Sequence, residues 1–320
     1  MTRLRLLLFA IADAAVAATT MVSVSSASYP GKNGKILFHY AGDIWSVKPS
    51  GGAPKRVTKY NNGDESSPVA SPDGKHLAVT YDPDGGTSEI YTTDMKGKHP
   101  KWITKKLSQS GNFLSFENPA WTKDGKHLVF LCNSFSKHEL CTVGTNRKHF
   151  HWVTHCECVN TGASDAPDVS KNNKIVWAYS GLLYTKPVSG GSPKAIATTE
   201  GSQDLNFQYP SWSPNGKQIA VQLNDTESAI DVMNADGSGR HRILQPGDFS
   251  VDPTDYTSPA WSPDGKRIAI HVAGLGPSQG GKVRGIYTVN PLGGDLRPVY
   301  IPSVYDFDQY LELDWARKPK

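Results

Sequence analysis

A short motif ending in Asp-Gly-Lys or Asn-Gly-Lys recurs along the chain and constrains its fold more than any other feature. It has four clear copies and one decayed copy, and each contains a proline at its second position: Ser67–Lys75, Asn118–Lys126, Ala166–Lys174 (decayed), Tyr209–Lys217 and Ser258–Lys266. Successive leading prolines are 51, 48, 43 and 49 residues apart. A period of this length is typical of one four-stranded blade of a β-propeller.

Each copy predicts a β-hairpin followed by two more strands. In the clear copies proline usually presets the first corner of the turn, Asp or Asn takes the second, and Gly accepts the left-handed conformation that ends it. An alternating strand follows the turn, as at His76–Thr80. Two further strands complete the unit, as at Glu89–Thr93 and Lys101–Thr104. Four strands per copy make one blade.

The two ends of the chain predict how the ring closes. Asn33–Phe38, Asp43–Val47 and Lys55–Thr58 match the last three strands of a blade that lacks its first strand. Leu311–Trp315 resembles that missing strand, and its addition to the first blade hides both sheet edges at the seam. The sequence therefore predicts an all-β fold, a six-bladed β-propeller of four-stranded antiparallel blades, in one domain over residues 32–320. The blades are expected at about 32–58 with 310–317, 67–104, 117–154, 166–199, 209–244 and 258–301.

Composition agrees with this fold and excludes one class of partner. With 30 glycines and 22 prolines among 320 residues, short strands joined by turns are favoured over long helices. The formal net charge is +4, and both signs are mixed along the chain. No basic segment marks a nucleic-acid-binding surface, so nucleic acid is not expected as a partner.

Tryptophan recurs at one position of the repeat. Four blades carry it there, at Trp121, Trp212, Trp261 and Trp315. A large apolar side chain at an equivalent place in each blade is typical of packing between neighbouring blades. The alternative is an aromatic belt that contacts a ligand.

The first 27 residues differ in character from the rest. Arg3 and Arg5 precede the apolar run Leu6–Ala12, and small residues continue to Ala27. This pattern predicts a signal peptide over residues 1–27 with cleavage after Ala27, and Asp13 within the run leaves an uncleaved anchor as the alternative. The remaining chain has no apolar run of the roughly 20 residues that a membrane helix needs. We therefore expect a monomeric exported protein, periplasmic or extracellular, without a membrane span in its mature form.

The repeat resembles that of a known family. Pro-Ala-Trp-Ser-Pro-Asp-Gly-Lys, ending at Lys266, followed by Ile-Tyr-Thr-Val, ending at Val289, is similar to the WD40-like repeat of TolB-type propellers. In the Tol–Pal system the family's propeller binds the lipoprotein Pal and follows a separate α/β domain that interacts with TolA. Because the first blade begins about ten residues after the predicted cleavage site, we expect this chain to lack that domain. The resemblance implies a periplasmic binding propeller and does not specify its partner.

Acidic residues precede the repeat proline, or its equivalent, in several blades: Asp64, Glu65, Glu117, Asp165, Asp255 and Glu312. In a propeller these positions lie near one end of the central channel. Converging carboxylates there would bind a cation such as Ca²⁺, which prefers oxygen ligands, or a basic partner. The alternatives are that the repeat simply places solvated acids in these loops, or that two of them form a general acid/base pair. No cofactor is required by any recognised motif.

All four cysteines lie in the third blade and the loop that leaves it. Cys132 and Cys141 flank a hairpin, and Cys156 and Cys158 follow in a loop that also contains His155. In an exported protein an even number of nearby cysteines predicts disulfides, with Cys132–Cys141 as one candidate pair. Unpaired thiols, or a metal site formed by His155, Cys156 and Cys158, remain as alternatives.

These patterns together favour a non-catalytic binding scaffold of the bacterial cell envelope that recognises a protein or cell-wall component at one end of its channel. The competing hypothesis is a carbohydrate-active lyase or hydrolase that uses the channel-end carboxylates.

Overall fold

The computed structural model describes residues 29–319 apart from 60–61, 84–85, 109–114, 135–137, 155–165, 199–205, 225–227, 246–254, 274–283 and 303–311. The described part forms six four-stranded antiparallel sheets. The prediction of a six-bladed β-propeller is therefore confirmed. No helix in the described ranges is long and apolar enough to cross a membrane.

The strands follow the order predicted from the repeat. Blade 1 contains, from the channel outwards, β24 (Leu313–Arg317), β1 (Asn33–Tyr40), β2 (Asp43–Val47) and β3 (Lys55–Arg56). Blade 2 contains β4 (Gly63–Ala70), β5 (His76–Pro83), β6 (Glu89–Asp94) and β7 (Lys101–Trp102), followed by the short helix α1 (Lys105–Ser108). Blade 3 contains β8 (Ser115–Trp121), β9 (His127–Asn133), β10 (His138–Gly144) and β11 (His151–Trp152).

The second half of the ring repeats this arrangement. Blade 4 contains β12 (Asp168–Val169), β13 (Lys174–Tyr179), β14 (Leu182–Pro187) and β15 (Lys194–Thr198). Blade 5 contains β16 (Asn206–Trp212), β17 (Gln218–Asn224), β18 (Ala229–Asn234) and β19 (His241–Leu244). Blade 6 contains β20 (Asp255–Trp261), β21 (Ile268–Ala273), β22 (Gly285–Val289) and β23 (Arg297–Tyr300). The decayed motif in blade 4 corresponds to an inner strand of only two residues.

The C-terminal strand closes the ring as predicted. β24 pairs with β1 so that Trp315 lies opposite Ile36 and Leu313 lies opposite Phe38. The strand ends at Arg317, two residues past the motif Leu311–Trp315 and within the predicted segment 310–317. Leu311, the predicted first residue, lies outside the described residues.

Hydrophobic packing joins each blade to the next. Six buried clusters occupy the six blade interfaces, and each combines side chains of two neighbouring blades. Each of the four repeat tryptophans lies in one of these clusters and is at most 3% exposed: Trp121, Trp212, Trp261 and Trp315. The Trp121 indole also donates a hydrogen bond of 3.0 Å to Val69 O of the preceding blade. The tryptophans thus pack between blades and do not form an exposed belt.

A bulge shapes the inner strand of four blades. The residue before the repeat proline is left-handed there, with φ of 54° at Ser67, 59° at Asn118, 50° at Tyr209 and 53° at Ser258. The pairing register shifts at the same points. An extra residue of this kind bends a strand and re-aims its side chains. It brings equivalent positions of neighbouring blades together near the channel, where Ser67 Oγ donates to Asn118 Oδ1 over 3.0 Å.

Candidate functional site

The strand order gives the ring two chemically different ends. We call one the turn face, where the hairpin turns join first to second and third to fourth strands. We call the other the loop face, where second strands connect to third strands and each blade connects to the next. Because β1 is a second strand and β24 is a first strand, the described chain begins and ends at the turn face.

By sequence, the segments that join strands at the loop face contain twelve acidic residues and six basic ones, and Glu312 is the one acidic residue among them that lies in the described part of the chain. Four further predicted acids belong to the same end, because Asp64, Glu65, Glu117 and Asp255 are among the first residues of inner strands.

Glu312 and Glu117 come together in the channel wall. The Glu312 carboxylate is buried and accepts a hydrogen bond from the backbone amide of Ser67 in blade 2. Burial raises its pKa to about 8, and the nearby Glu117 carboxylate adds to the rise. Glu117 is half-buried, and desolvation raises its pKa as well, although a hydrogen bond with Ser115 opposes this. Loss of solvent penalises the charged form of each acid. A cationic group close to this wall would favour the charged forms and lower the pKa of both acids.

Asp64 lies at the exposed rim beside a buried histidine. The Asp64 carboxylate is packed so closely over Gly42 that a Cβ there would lie 2.5 Å from its Oδ1. His39 is only 4% exposed, and burial lowers its pKa although the carboxylates of Asp64 and Asp43 act in the opposite direction. Asp64 is thus the most accessible of the predicted acids whose side chains are described.

Glu65, although adjacent in sequence, points elsewhere. Its carboxylate is fully buried at the interface of blades 1 and 2, where it accepts hydrogen bonds from the Thr58 and Tyr91 hydroxyls. Burial raises its pKa despite these hydrogen bonds. Since alternate residues of a strand face opposite sides, Glu65 is part of the blade interface whereas Asp64 is at the rim.

Two predicted acids are less well placed by the structure. Asp255 is the first residue of β20, at the loop-face end of the inner strand, but its side chain lies outside the described residues. Asp165 lies entirely outside them.

A second pair of carboxylates went unnoticed in the sequence. Asp314 accepts a hydrogen bond of 2.9 Å from Ala70 N, and Asp168 accepts one of 2.6 Å from Trp212 N. The two aspartates occupy the same position of the repeat, in blades 1 and 4. Each accepts its hydrogen bond from the backbone amide of the next blade, and the two donor residues also occupy equivalent positions of the repeat. Alignment of the repeat copies would have revealed them, because the other blades have Val, Ala or Ser there.

Residues 29–32 cross the turn-face end of the channel. The Tyr29 hydroxyl lies 2.6 Å from Trp121 O and 3.2 Å from Val169 O, at blades 3 and 4. Gly31 N donates to Pro263 O of blade 6 over 3.0 Å, on the other side of the ring. Tyr29 is 7% exposed, so its ring fills part of the channel.

A groove of about 400 Å³ lies between blades 3 and 4. Trp177 and Tyr184 stack in its wall with ring centroids 5.5 Å apart. Lys186 lies beside them and donates to Val153 O, and burial lowers its pKa. The groove is a concave, largely apolar surface.

Cys132 and Cys141 form a disulfide, with their Cα atoms 5.9 Å apart. They occupy facing strands β9 and β10 of blade 3. Cys156, Cys158 and His155 lie outside the described residues. Within the described ranges, no group of three or more His, Cys, Asp or Glu side chains is arranged to hold a metal ion.

Comparison with known proteins shows the fold and leaves the activity open. No protein-family model matches the chain, and no curated protein matches it. Among solved structures, TolB from Acinetobacter baumannii matches with a TM-score of 0.68 at 16% identity, covering 89% of this chain and 67% of its own. A nidogen/laminin complex matches with a TM-score of 0.64 at 11% identity, covering 88% and 98%. An oligogalacturonate lyase in complex with manganese matches with a TM-score of 0.55 at 9% identity, covering 88% and 87%. The chain thus has the fold of a TolB-like propeller, a fold that binding proteins and enzymes share.

Proposed function

We propose that this chain is an exported, non-catalytic binding propeller of the bacterial cell envelope, and that its loop face recognises a protein or cell-wall partner with a basic surface. The observation that supports this most directly is the pair of carboxylates Glu117 and Glu312 in the channel wall, with the exposed Asp64 at the same end. A surface of one sign favours association with a surface of the other and sets their orientation.

Burial of the channel carboxylates limits how much they add to binding. Glu312 is desolvated in the free protein, so its ionisation is penalised there. A partner's lysine or arginine near Glu312 would favour its charged form, and the attraction between the two charges would have to offset the cost of ionising the buried acid.

The fold comparisons are compatible with this proposal and with one competitor. TolB and the nidogen/laminin complex support a protein-binding function, whereas the oligogalacturonate lyase supports a carbohydrate-active enzyme. The two hypotheses differ in what Glu117 does: it contacts a partner in the first and transfers a proton in the second.

The test begins with cross-linked capture from the native envelope and continues with the recovered partner in purified form. Asp64→Asn with Glu117→Gln is expected to weaken its binding at least tenfold, and added salt is expected to weaken the binding of the unmodified protein. Asp73→Asn with Asp236→Asn removes the same charge from the turn face and serves as the matched control. Running each arm with Ca²⁺ and with a chelator shows whether a cation takes part. The proposal is wrong if the purified protein cleaves a polysaccharide or peptide and Glu117→Gln abolishes that activity.

A further inference from the structure

The turn face is strongly basic. Within residues 29–319 as described, the hairpin turns and end segments at this face contain fifteen lysines and arginines but only five aspartates. The basic residues are Lys32, Lys48, Lys75, Lys96, Lys98, Lys123, Lys126, Arg147, Lys148, Lys171, Lys217, Arg240, Lys266, Arg267 and Lys318. Thirteen of them are exposed, and Lys171 and Arg267 are half-buried. The charge is therefore available to a partner.

The five aspartates of the turns offset only part of it and leave an excess of ten positive charges. Asp73, Asp124 and Asp264 each direct one carboxylate oxygen into their own turn, where it accepts hydrogen bonds from the opening hydroxyl and the closing lysine amide. Asp295 is paired with Arg267 and Arg297. The lysine side chains that close the turns extend outwards around the ring, so positive charge surrounds the turn-face end of the channel.

The chain ends lie within this basic surface. Lys318 N donates to Lys32 O over 2.9 Å, so the last and first described segments are side by side. Tyr29 is fixed in the channel at the same face. The chain ahead of Tyr29, with the apolar run predicted as a leader, therefore joins the propeller at its basic face. If the leader is held in a membrane, or has just been released from one, the turn face is the part of the propeller nearest to that membrane.

We propose that the turn face docks on an anionic phospholipid surface and thereby directs the loop face away from the membrane. Lysines near an anionic bilayer are attracted additively, and the attraction acts within a Debye length of the surface. Because the exposed lysines are concentrated at the turn face, this attraction orients the molecule. Docking of this kind leaves the loop face accessible to its own partner.

The experiment measures flotation of the exported, processed protein with vesicles. Vesicles of phosphatidylglycerol mixed with phosphatidylcholine are compared with vesicles of phosphatidylcholine alone. We expect binding to the anionic vesicles only, and loss of binding at high salt. Lys75→Gln, Lys126→Gln and Lys217→Gln together remove three exposed turn-face charges from different blades. They are expected to weaken partitioning by roughly 100-fold, from about fivefold per lysine.

A matched variant separates surface docking from net charge. Lys59→Gln, Lys105→Gln and Lys106→Gln remove three charges from the loop-face end and are expected to change partitioning by less than a few-fold. Equal weakening by the two triple variants would overturn the proposal, because it would make net charge the determinant. Salt-resistant binding to phosphatidylcholine would also overturn it, since a retained apolar leader would then be the anchor. Failure to bind anionic vesicles at low salt, or preference for a soluble polyanion over them, would contradict a phospholipid surface as the partner.

Discussion

The carboxylate of Glu312 accepts a hydrogen bond from the backbone amide of Ser67, although 245 residues separate the two in sequence. Two residues later, Asp314 accepts a bond from Ala70 N. The C-terminal strand is therefore joined to blade 2 by two carboxylates, in addition to its pairing with β1 in blade 1. It fixes the ring on both sides of the seam.

Replacement of Glu312 by Gln is expected to change how stability depends on pH. Burial raises the Glu312 pKa from its ordinary value of 4.5 to about 8, so the folded state binds a proton that the unfolded state has released between these values. Its contribution to stability is complete below pH 4.5 and is lost as pH rises towards 8, by at most about 1.4 kcal/mol per pH unit. Urea unfolding across this range should show the decline in the wild type and a smaller decline in Glu312→Gln.

Asp82→Asn, which alters an exposed carboxylate at the same end, is the control for that measurement. It is expected to retain the wild-type slope. An unchanged slope in Glu312→Gln would mean that another group causes the pH dependence.

Deletion of residues 311–320 is expected to prevent cooperative folding. It removes β24, including Trp315, which is only 2% exposed, and so leaves blade 1 with an unpaired inner edge. The loss of one buried tryptophan alone costs about 3–5 kcal/mol, a large part of the stability of a typical domain. Circular dichroism and thermal unfolding would measure the effect. Deletion of residues 318–320 keeps the strand and should leave a cooperative transition; identical behaviour of the two truncated chains would contradict the role given to β24.

The architecture was predictable because the repeat encodes it several times. Each copy combines a turn, a strand pattern and an inter-blade side chain. The decayed copy at Ala166–Lys174 could therefore be recognised by alignment with the clear copies. The bulge near the end of β24 was not predictable, since Arg317 pairs with Asn33 through its backbone and carries no strand signal of its own.

The candidate site was predictable only in part. The sequence placed the acidic residues at one end of the channel, but it could not distinguish Asp64 at the rim from Glu65 in the blade interface. That difference depends on which side of β4 each residue faces, because neighbouring residues of a strand point to opposite sides. The concentration of basic residues at the turn face was also hidden, because it emerges only when alternate connecting segments are assigned to opposite ends.

Replacement of Asp168 or Asp314 by Ala is expected to destabilise the ring by about 1–3 kcal/mol each. Each change removes the acceptor for a buried backbone amide of the next blade, at Trp212 and Ala70, respectively. Asp→Asn at the same positions retains an acceptor oxygen and should cost less. Urea unfolding of the four variants would test this, and an Asn variant as unstable as its Ala counterpart would show that charge, and not the hydrogen bond, is what matters.

Removal of the disulfide in blade 3 is expected to lower the free energy of unfolding by about 2–3 kcal/mol. Cys132 and Cys141 are nine residues apart in sequence, so the bond closes a short loop of the unfolded chain. Since both sulfurs are buried between strands, Cys132→Ser with Cys141→Ser would also place two hydroxyls in an apolar cluster. Cys132→Ala with Cys141→Ala is therefore the better variant, and chemical unfolding is the measurement.

Reductant separates the effect of the bond from that of the substitutions. Reduction should destabilise the wild type by a similar amount and leave the Ala/Ala variant unchanged, provided that Cys156 and Cys158 contribute no bond of their own. Thiol titration of the unfolded protein decides that condition: two thiols before reduction assign the Cys132–Cys141 bond alone, and none indicates a second disulfide. Equal loss of stability on reduction in both proteins would place the stabilising bond at Cys156 and Cys158 and contradict the expected contribution of the blade 3 disulfide.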